Sequence, residues 1–121
     1  MRLSVLPNSP VPAYRQLYNE ILSQMISGEL AEGTALPPIR AVSRELGISV
    51  ITVRTAWESL ESDGLIVTRA GSGCFIGQVG MDQLRSLRSR AIAEPLGALV
   101  ETAKNLGFTG GELAEEVKGA Y

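Results

Sequence analysis

The segment from residue 36 to residue 76 constrains the fold most, because two helical apolar patterns follow each other there with almost no room between them. In each pattern apolar residues recur at spacings of three and four, which gives each helix one apolar face. These residues are Ile39, Val42 and Leu46 in the first helix, and Val53, Ala56, Trp57 and Leu60 in the second. Only Ile48 separates Gly47, a typical helix-ending residue, from Ser49, a typical N-cap. The sequence therefore predicts a helix-turn-helix.

A small β-hairpin is predicted directly after the second helix, which ends at Gly64. Residues 65–67 and 74–76 are short apolar runs on either side of the turn Arg69-Ala70-Gly71-Ser72-Gly73. The glycines of this turn suit a hairpin loop. A hairpin in this position forms the wing of a winged helix-turn-helix.

A third helix is predicted before the helix-turn-helix, from Pro12 to a stop at Gly28, whereas residues 1–9 have no helical period and stay unassigned. Three helices and the wing should enclose one core. Its predicted members are Tyr14, Leu17, Ile21, Ile39, Val42, Leu46, Val53, Trp57, Leu60, Ile66 and Phe75. The alternative for Trp57 is stacking on a nucleic-acid base. It is disfavoured because Trp57 lies on the same helix face as Val53 and Leu60, which points inward.

Residues 10 to 77 resemble the winged helix-turn-helix of GntR-family bacterial transcriptional regulators. The matching residues are Leu36-Pro37, Arg40, Ala41-Val42, Leu46-Gly47-Ile48-Ser49, Thr52-Val53-Arg54, Leu60-Glu61, Gly64-Leu65-Ile66, Gly71, Gly73 and Phe75-Ile76. An ordered match of this length is far more specific than one short motif. The resemblance implies a mainly α fold with a small β-wing, in which a short α-helical dimerisation tail follows the winged helix-turn-helix.

The tail begins after Gly77, so the predicted domains are residues 1–77 for DNA binding and 78–121 for dimerisation. A long helix is predicted from Met81 to Asn105, kinked or divided by Pro95, and a last helix capped by Thr109 runs from Gly110 to about Gly119. Because the last helix is barely ten residues long, the two helices cannot bury their apolar stripes against each other alone and need a partner chain. The brevity of the tail resembles the YtrA subfamily, whose tail dimerises. The predicted dimerisation residues are Leu84, Leu87, Leu96, Leu99, Val100, Leu106 and Leu113.

The residues predicted to bind DNA lie on the helix-turn-helix and the wing. They are Arg40, Ser49, Val50, Thr52, Arg54, Arg69, Gly71, Ser72 and Gly73. A recognition helix presents its first outward residues to base edges, and Arg54 suits a bidentate contact with guanine. Its alternative is an i,i+4 ion pair with Glu58. For Thr52, a phosphate or thymine contact competes with a local role in the first helical turn.

The remaining candidates also have structural alternatives. The resemblance implies a phosphate or base contact for Arg40, and its alternative is a solvated charge that pairs with a neighbouring carboxylate. Ser49 is expected to cap the recognition helix. Glycines at the wing tip would allow close approach to DNA with Arg69 and Ser72 in contact, unless the wing is a plain hairpin. Pro38 and Val50 depart from the family, which commonly has a serine and a basic residue there. The target sequence of relatives therefore does not transfer.

Composition excludes several other functions for the 121 residues. Histidine is absent and no catalytic constellation is visible, so an enzyme, a bound metal and a cofactor are not expected. Without a long apolar run or a signal sequence, a cytoplasmic protein without membrane contact is expected. The single cysteine, Cys74, fits a reducing compartment. It is interpreted as a small buried hydrophobe, with a redox-sensing thiol as the alternative.

The charge balance argues against DNA binding at first sight, because neutralising phosphates usually takes clustered lysines and arginines. The net charge is −2, and residues 1–78 hold six arginines and seven carboxylates. A specific binder nevertheless works if its few arginines lie on one surface. The function favoured is a homodimeric regulator, more often a repressor in this subfamily, on a palindromic operator. The alternative is a winged-helix protein-interaction module, and a small-molecule effector of unknown identity stays open.

Overall fold

The computed structural model describes all 121 residues. The helices are α1 (Ala13–Ser27), α2 (Ile39–Leu46), α3 (Val50–Ser62), α4 (Met81–Asn105) and α5 (Gly110–Ala120), and the strands are β1 (Ile66–Arg69) and β2 (Gly73–Ile76). The chain divides into two compact units, Met1–Arg85 and Ser86–Tyr121, with the division inside α4. None of the helices has the length and hydropathy required of a membrane span.

The turn between α2 and α3 has the geometry that the sequence predicts. Gly47 adopts the left-handed conformation with φ 68°, which only glycine adopts without strain. The hydroxyl of Ser49 accepts a hydrogen bond of 3.0 Å from the backbone N–H of Thr52 and so caps α3. Across the turn, the Ser43 hydroxyl donates to the carbonyl of Ile48. The Ser43 bond therefore ties α2 to the turn, and the Ser49 bond satisfies a backbone N–H at the start of α3.

The core of the first unit forms around α3, which packs against α1, α2 and β1. Seven predicted core residues are buried: Leu17, Ile21, Val42, Val53, Trp57, Leu60 and Ile66. The other four, Tyr14, Ile39, Leu46 and Phe75, are only half-buried, so the prediction is wrong about their full burial. The core also contains residues outside the prediction: Tyr18, Leu22, Met25, Leu30, Leu36, Ala56, Leu65 and Ile76.

The hairpin pairs antiparallel from Ile66 opposite Ile76 to Arg69 opposite Gly73, which confirms the predicted wing. The residues that lead into α2 add a third stretch to this sheet, through a bridge between Ala35 and Phe75. The N–H of Leu36 donates to the carbonyl of Cys74 at 2.9 Å, and the N–H of Ile76 donates to the carbonyl of Thr34 at 2.8 Å. This pairing, which the sequence did not predict, ties the wing to the start of the helix-turn-helix.

Residues 2 to 6, unassigned from the sequence, run along α1 and are held by its polar side chains. Gln16 accepts a hydrogen bond of 2.8 Å from the N–H of Leu6, and Glu20 accepts bonds from the N–H and hydroxyl of Ser4. Gln24 donates to the carbonyl of Arg2 at 2.8 Å. These three helix residues recur every four positions and so lie on one face of α1.

Tyr18 links α1 to the end of α3. Its side chain is 2% exposed, and its hydroxyl donates to the carboxylate of Asp63, the C-cap of α3. We expect Tyr18→Phe to lower the free energy of unfolding by about 1 to 3 kcal/mol, because the variant loses a hydrogen bond to a charged acceptor. Urea denaturation measures this loss. Tyr14→Phe is the matched control, since the Tyr14 hydroxyl makes no hydrogen bond in the structure; equal losses in both variants would contradict the role of the Asp63 bond.

The second unit contains the remainder of α4 and the whole of α5. Helix α4 continues through Pro95 as one element, so of the two predicted alternatives the division into two helices is wrong. Its end is a Schellman motif, in which the N–H of Phe108 donates to the carbonyl of Ala103 at 2.9 Å and Gly107 follows the last turn. Thr109 and Glu112 form a capping box that starts α5, as predicted for Thr109.

Candidate nucleic-acid interface

The first part of α3 presents an exposed surface, and the residues that form it differ in part from those predicted. Ile51 is 70% exposed, and Arg54, Thr55 and Glu58 are also exposed. Val50, predicted as an outward residue that contacts bases, is half-buried instead. Its neighbour Ile51 therefore carries the largest apolar surface at the start of the recognition helix.

Arg54 is free of partners within the protein. Its guanidinium forms no hydrogen bond and no ion pair, so the alternative of an i,i+4 pair with Glu58 is not what the structure shows. The Thr52 hydroxyl, by contrast, is 2.7 Å from the Ser49 hydroxyl and hydrogen-bonds to it. Thr52 thus serves the first turn of the helix, which was its local alternative, and Arg54 is left as the residue of this turn with unused donors.

Helix α2 carries two exposed arginines on one face. Arg40, predicted as a DNA contact, and Arg44, which the sequence reasoning did not single out, are four residues apart. Neither forms an ion pair within the chain. The i,i+4 spacing of the two arginines was a signal available in the sequence. Pro38, where the family commonly has a serine, is the N-cap residue of α2 and supplies no side-chain hydrogen bond to it.

Charge changes sign along the helix-turn-helix. Residues Ile39–Arg54 hold three arginines and one glutamate, a net charge of +2. The rest of α3 and its C-cap hold no basic residue and three carboxylates, those of Glu58, Glu61 and Asp63. The positive end of the helix dipole lies at the N-terminus of α3, and Arg54 is the fifth residue of that helix. The start of α3 is therefore the positive end of this part of the molecule, although the chain as a whole is acidic.

The wing tip combines exposed glycines with one engaged arginine. Gly71 and Gly73 have positive φ angles of 76° and 105°, and Ser72 between them is exposed. The guanidinium of Arg69 lies 5.1 Å from the centroid of the Phe75 ring, which is a cation–π contact. Its N–H groups donate no hydrogen bond within the protein and stay available to a ligand. Thr68 donates a hydrogen bond to Glu61 and so ties β1 to α3. Cys74 is half-buried, with its sulfur 3.5 Å from the Thr68 hydroxyl.

The predicted dimerisation residues fall into three groups by burial. Leu84 and Leu87 are buried within the single chain, Val100 and Leu113 are half-buried, and Leu96, Leu99 and Leu106 are exposed. Besides the C-terminal Tyr121, six large apolar side chains of the second unit are at least one-third exposed. We call them the tail apolar face: Ile92, Leu96, Leu99, Leu106, Phe108 and Val117. Its buried residues are Leu87 and Ala103 alone. The tail therefore exposes more apolar side chains than it buries.

Comparison with known proteins identifies the family. Residues 13–76 match the bacterial regulatory proteins of the gntR family. The chain is 33% identical over 82 residues to the probable rhizopine catabolism regulatory protein MocR of Rhizobium meliloti, covering 68% of this chain and 17% of MocR. It is 30% identical over 109 residues to the transcriptional repressor NagR of Bacillus subtilis, covering 90% and 42% of the two chains. The chain thus spans less than half the length of these two relatives.

A shorter relative matches almost from end to end. The chain is 27% identical over 116 residues to the transcriptional repressor YtrA of Bacillus subtilis, covering 96% of this chain and 89% of YtrA. This coverage includes the tail. It agrees with the predicted resemblance to the YtrA subfamily.

Solved structures agree with the fold. A transcriptional antiterminator from Listeria monocytogenes, 24% identical, superposes with a TM-score of 0.66 over 99% of this chain and 90% of its own, which shows the shared fold. YtrA from Sulfolobus acidocaldarius is 31% identical with a TM-score of 0.58 over 74% and 96% of the two chains. AraR(DBD), solved in complex with operator ORX1, is 29% identical with a TM-score of 0.56 over 64% and 99%. The predicted fold class and resemblance are confirmed, and the chain belongs to the gntR family of bacterial regulatory proteins, which are DNA-binding transcriptional regulators and not enzymes.

Proposed function

We propose that the chain acts as a homodimeric repressor that binds a two-fold symmetric DNA operator through α3. The observation that carries this proposal is the unpartnered Arg54 on the positive end of α3, with acidic residues confined to the later turns of the helix. A positive helix start with unused guanidinium donors fits the electronegative edge of guanine in the major groove.

The contacts are assigned by element. Arg54 reads a guanine, and α2 crosses the DNA backbone, where Arg40 and Arg44 contact phosphates. Ser49 caps α3, so its backbone N–H and that of Val50 face the DNA at the helix start. The Thr52 hydroxyl is assigned to the hydrogen bond with Ser49 and not to a contact with DNA. The relative AraR(DBD), which was solved on an operator, supports DNA as the partner of this fold.

The wing is assigned to the neighbouring minor groove. Gly71 and Gly73 leave room for the backbone to approach DNA closely, and Ser72 lies exposed between them. Arg69 keeps its donors available while its guanidinium rests on Phe75. The contribution of the wing is a second group of sequence-tolerant contacts beside the base contact of Arg54.

Dimerisation is assigned to the tail apolar face. The second unit buries two side chains and, besides the C-terminal Tyr121, exposes six large apolar ones, which is the pattern of a surface that a second copy covers. Leu84 and Leu87 are covered within the single chain, so the surface consists of the exposed residues of the predicted set together with Ile92, Phe108 and Val117. Two identical chains joined in this way would bind two half-sites related by a two-fold axis.

Repression is the regulatory sign that we propose, because NagR and YtrA of Bacillus subtilis are both named as repressors. The rival function, a winged-helix module for protein contact, is favoured by the exposed Ile51. In vitro selection of binding sites from random DNA separates the two functions. We expect the full chain to enrich one sequence, called the selected operator below; failure to enrich any sequence would favour the rival.

The salt dependence of binding tests the electrostatic part of the proposal. Each chain offers four arginines on the helix-turn-helix and wing: Arg40, Arg44, Arg54 and Arg69. We expect the logarithm of affinity for the selected operator to fall against the logarithm of salt concentration with a slope of about −4 to −8 for a dimer, because each neutralised phosphate releases counterions. Fluorescence anisotropy at several salt concentrations measures the slope. A slope near zero would remove the phosphate contacts.

A further inference from the structure

Ile51 is the most exposed large apolar side chain of the first unit, at 70%. It lies in the first turn of α3, directly after the half-buried Val50 and three residues before the unpartnered Arg54. Thr55, four residues further on, turns its hydroxyl back to the carbonyl of Ile51 at 2.9 Å. The surface at this turn is therefore an apolar side chain beside a free guanidinium, without an unused hydroxyl next to it.

Such a surface is selective for one feature of DNA. In the major groove, base edges present hydrogen-bond donors and acceptors, and the thymine C5-methyl group is their apolar feature. Ile51 has no polar atom that could satisfy those donors and acceptors, so a thymine methyl is the group that it covers without loss. The neighbouring Val50 is half-buried, and Thr52 is half-buried with its hydroxyl bonded to Ser49, so Ile51 is the more accessible apolar side chain.

We propose that Ile51 is a specificity-determining residue that contacts a thymine methyl in each half-site. This inference rests on the proposed function, since it needs α3 in the major groove. Residues three apart on a helix have Cβ atoms about 5 to 6 Å apart. Successive nucleotides on one strand rise by about 3.4 Å. The thymine therefore lies within about two base pairs of the guanine that Arg54 contacts.

Replacing thymine by deoxyuridine removes the methyl group and leaves every hydrogen-bonding atom in place. Each thymine of the selected operator is replaced in turn, in both half-sites together, and binding of the full chain is measured by fluorescence anisotropy. At one position we expect binding to weaken about fourfold per half-site, because about one methyl group of apolar contact is lost. The two half-sites together then give about fifteenfold.

The Ile51→Ala variant completes a double-mutant cycle. We expect it to bind the thymine operator about as weakly as wild type binds the deoxyuridine operator, and to show no further loss on deoxyuridine. Ile51→Val should retain part of the discrimination. Leu6→Ala is the matched control, because Leu6 is 69% exposed in the N-terminal segment and has a side chain of the same composition; it should behave as wild type.

The outcomes separate this inference from the proposed function. If no thymine position responds to deoxyuridine, or if Ile51→Ala keeps the full wild-type response, the assignment of Ile51 is overturned while the DNA-binding function stands. Unchanged operator binding by Ile51→Ala also overturns it, and leaves Ile51 to a protein partner. If the full chain enriches no sequence, the proposed function fails and this inference fails with it.

Discussion

Replacing Leu99 by glutamate should convert the dimer into monomers and weaken binding to the selected operator about 100-fold or more. Leu99 is 43% exposed on α4, so the glutamate stays hydrated in the single chain and the protomer should fold normally. In the dimer the same carboxylate would be buried in the tail apolar face, at a cost of several kcal/mol. Two separate winged domains lose the effective concentration that joins their half-site contacts. Sedimentation equilibrium and fluorescence anisotropy measure the two effects.

Ala98→Glu is the control for this variant. Ala98 is exposed on the same helix, on the face that also carries Glu94 and Glu101, so it adds the same charge away from the tail apolar face. We expect it to remain dimeric and to bind as wild type. A Leu99→Glu protein that stayed dimeric with full affinity would place the dimer contact elsewhere in the chain.

Replacing Arg54 by alanine should weaken operator binding by about 1 to 3 kcal/mol per half-site and relax the preference for guanine at one position. The guanidinium has no partner within the protein, so its removal should leave the free energy of unfolding nearly unchanged. Arg54→Lys keeps the charge but loses the bidentate geometry. It should therefore recover part of the affinity and little of the base preference, as measured on the selected operator and on operators with the guanine replaced.

Arg88→Ala provides the comparison for Arg54. It removes one positive charge from an exposed position of α4 that makes no ion pair. A small uniform loss on all DNA sequences is expected. If Arg54→Ala matched Arg88→Ala, with its base preference intact, Arg54 would be a general contributor to charge and not a base contact.

The helix-turn-helix was predictable from the sequence because its signals are local. Gly47 and Ser49 stop one helix and start the next within three positions, and the structure keeps both roles. The bounds of α4 and the capping role of Thr109 were equally local, since they depend on a glycine, a capping side chain and helical spacing. Where the determinants lie within a few residues of each other, the sequence pattern was sufficient.

The features that the sequence did not predict depend on distant residues. The N-terminal segment is held by Gln16, Glu20 and Gln24. Nothing in the local sequence indicates that these side chains bind backbone groups ten or more positions away. The pairing of Thr34 and Leu36 with β2 has the same origin. Neither has a periodic signature, because each depends on where the tertiary fold brings the backbone.

The candidate site was predicted only in part, because the burial of its residues also depends on tertiary packing. Val50 and Arg54 were predicted together as DNA contacts, but Val50 is half-buried and its neighbour Ile51 is exposed instead. Only packing against neighbouring elements decides which of two adjacent residues is buried. The apolar stripe of α4 likewise predicts that its residues are buried. It does not indicate whether the same chain or a second copy buries them. Leu84 and Leu87 are covered within their own chain, whereas Leu96 and Leu99 are not.

Hydroxyl-radical footprinting of the selected operator with the full chain tests most directly that two recognition helices act together. We expect two protected tracts related by a two-fold axis, with their centres about 10 base pairs, or a whole multiple of that distance, apart. Leu99→Glu at the same concentration should abolish both tracts together. A single protected tract without symmetry, or two tracts that persist in Leu99→Glu, would contradict a dimer held by the tail.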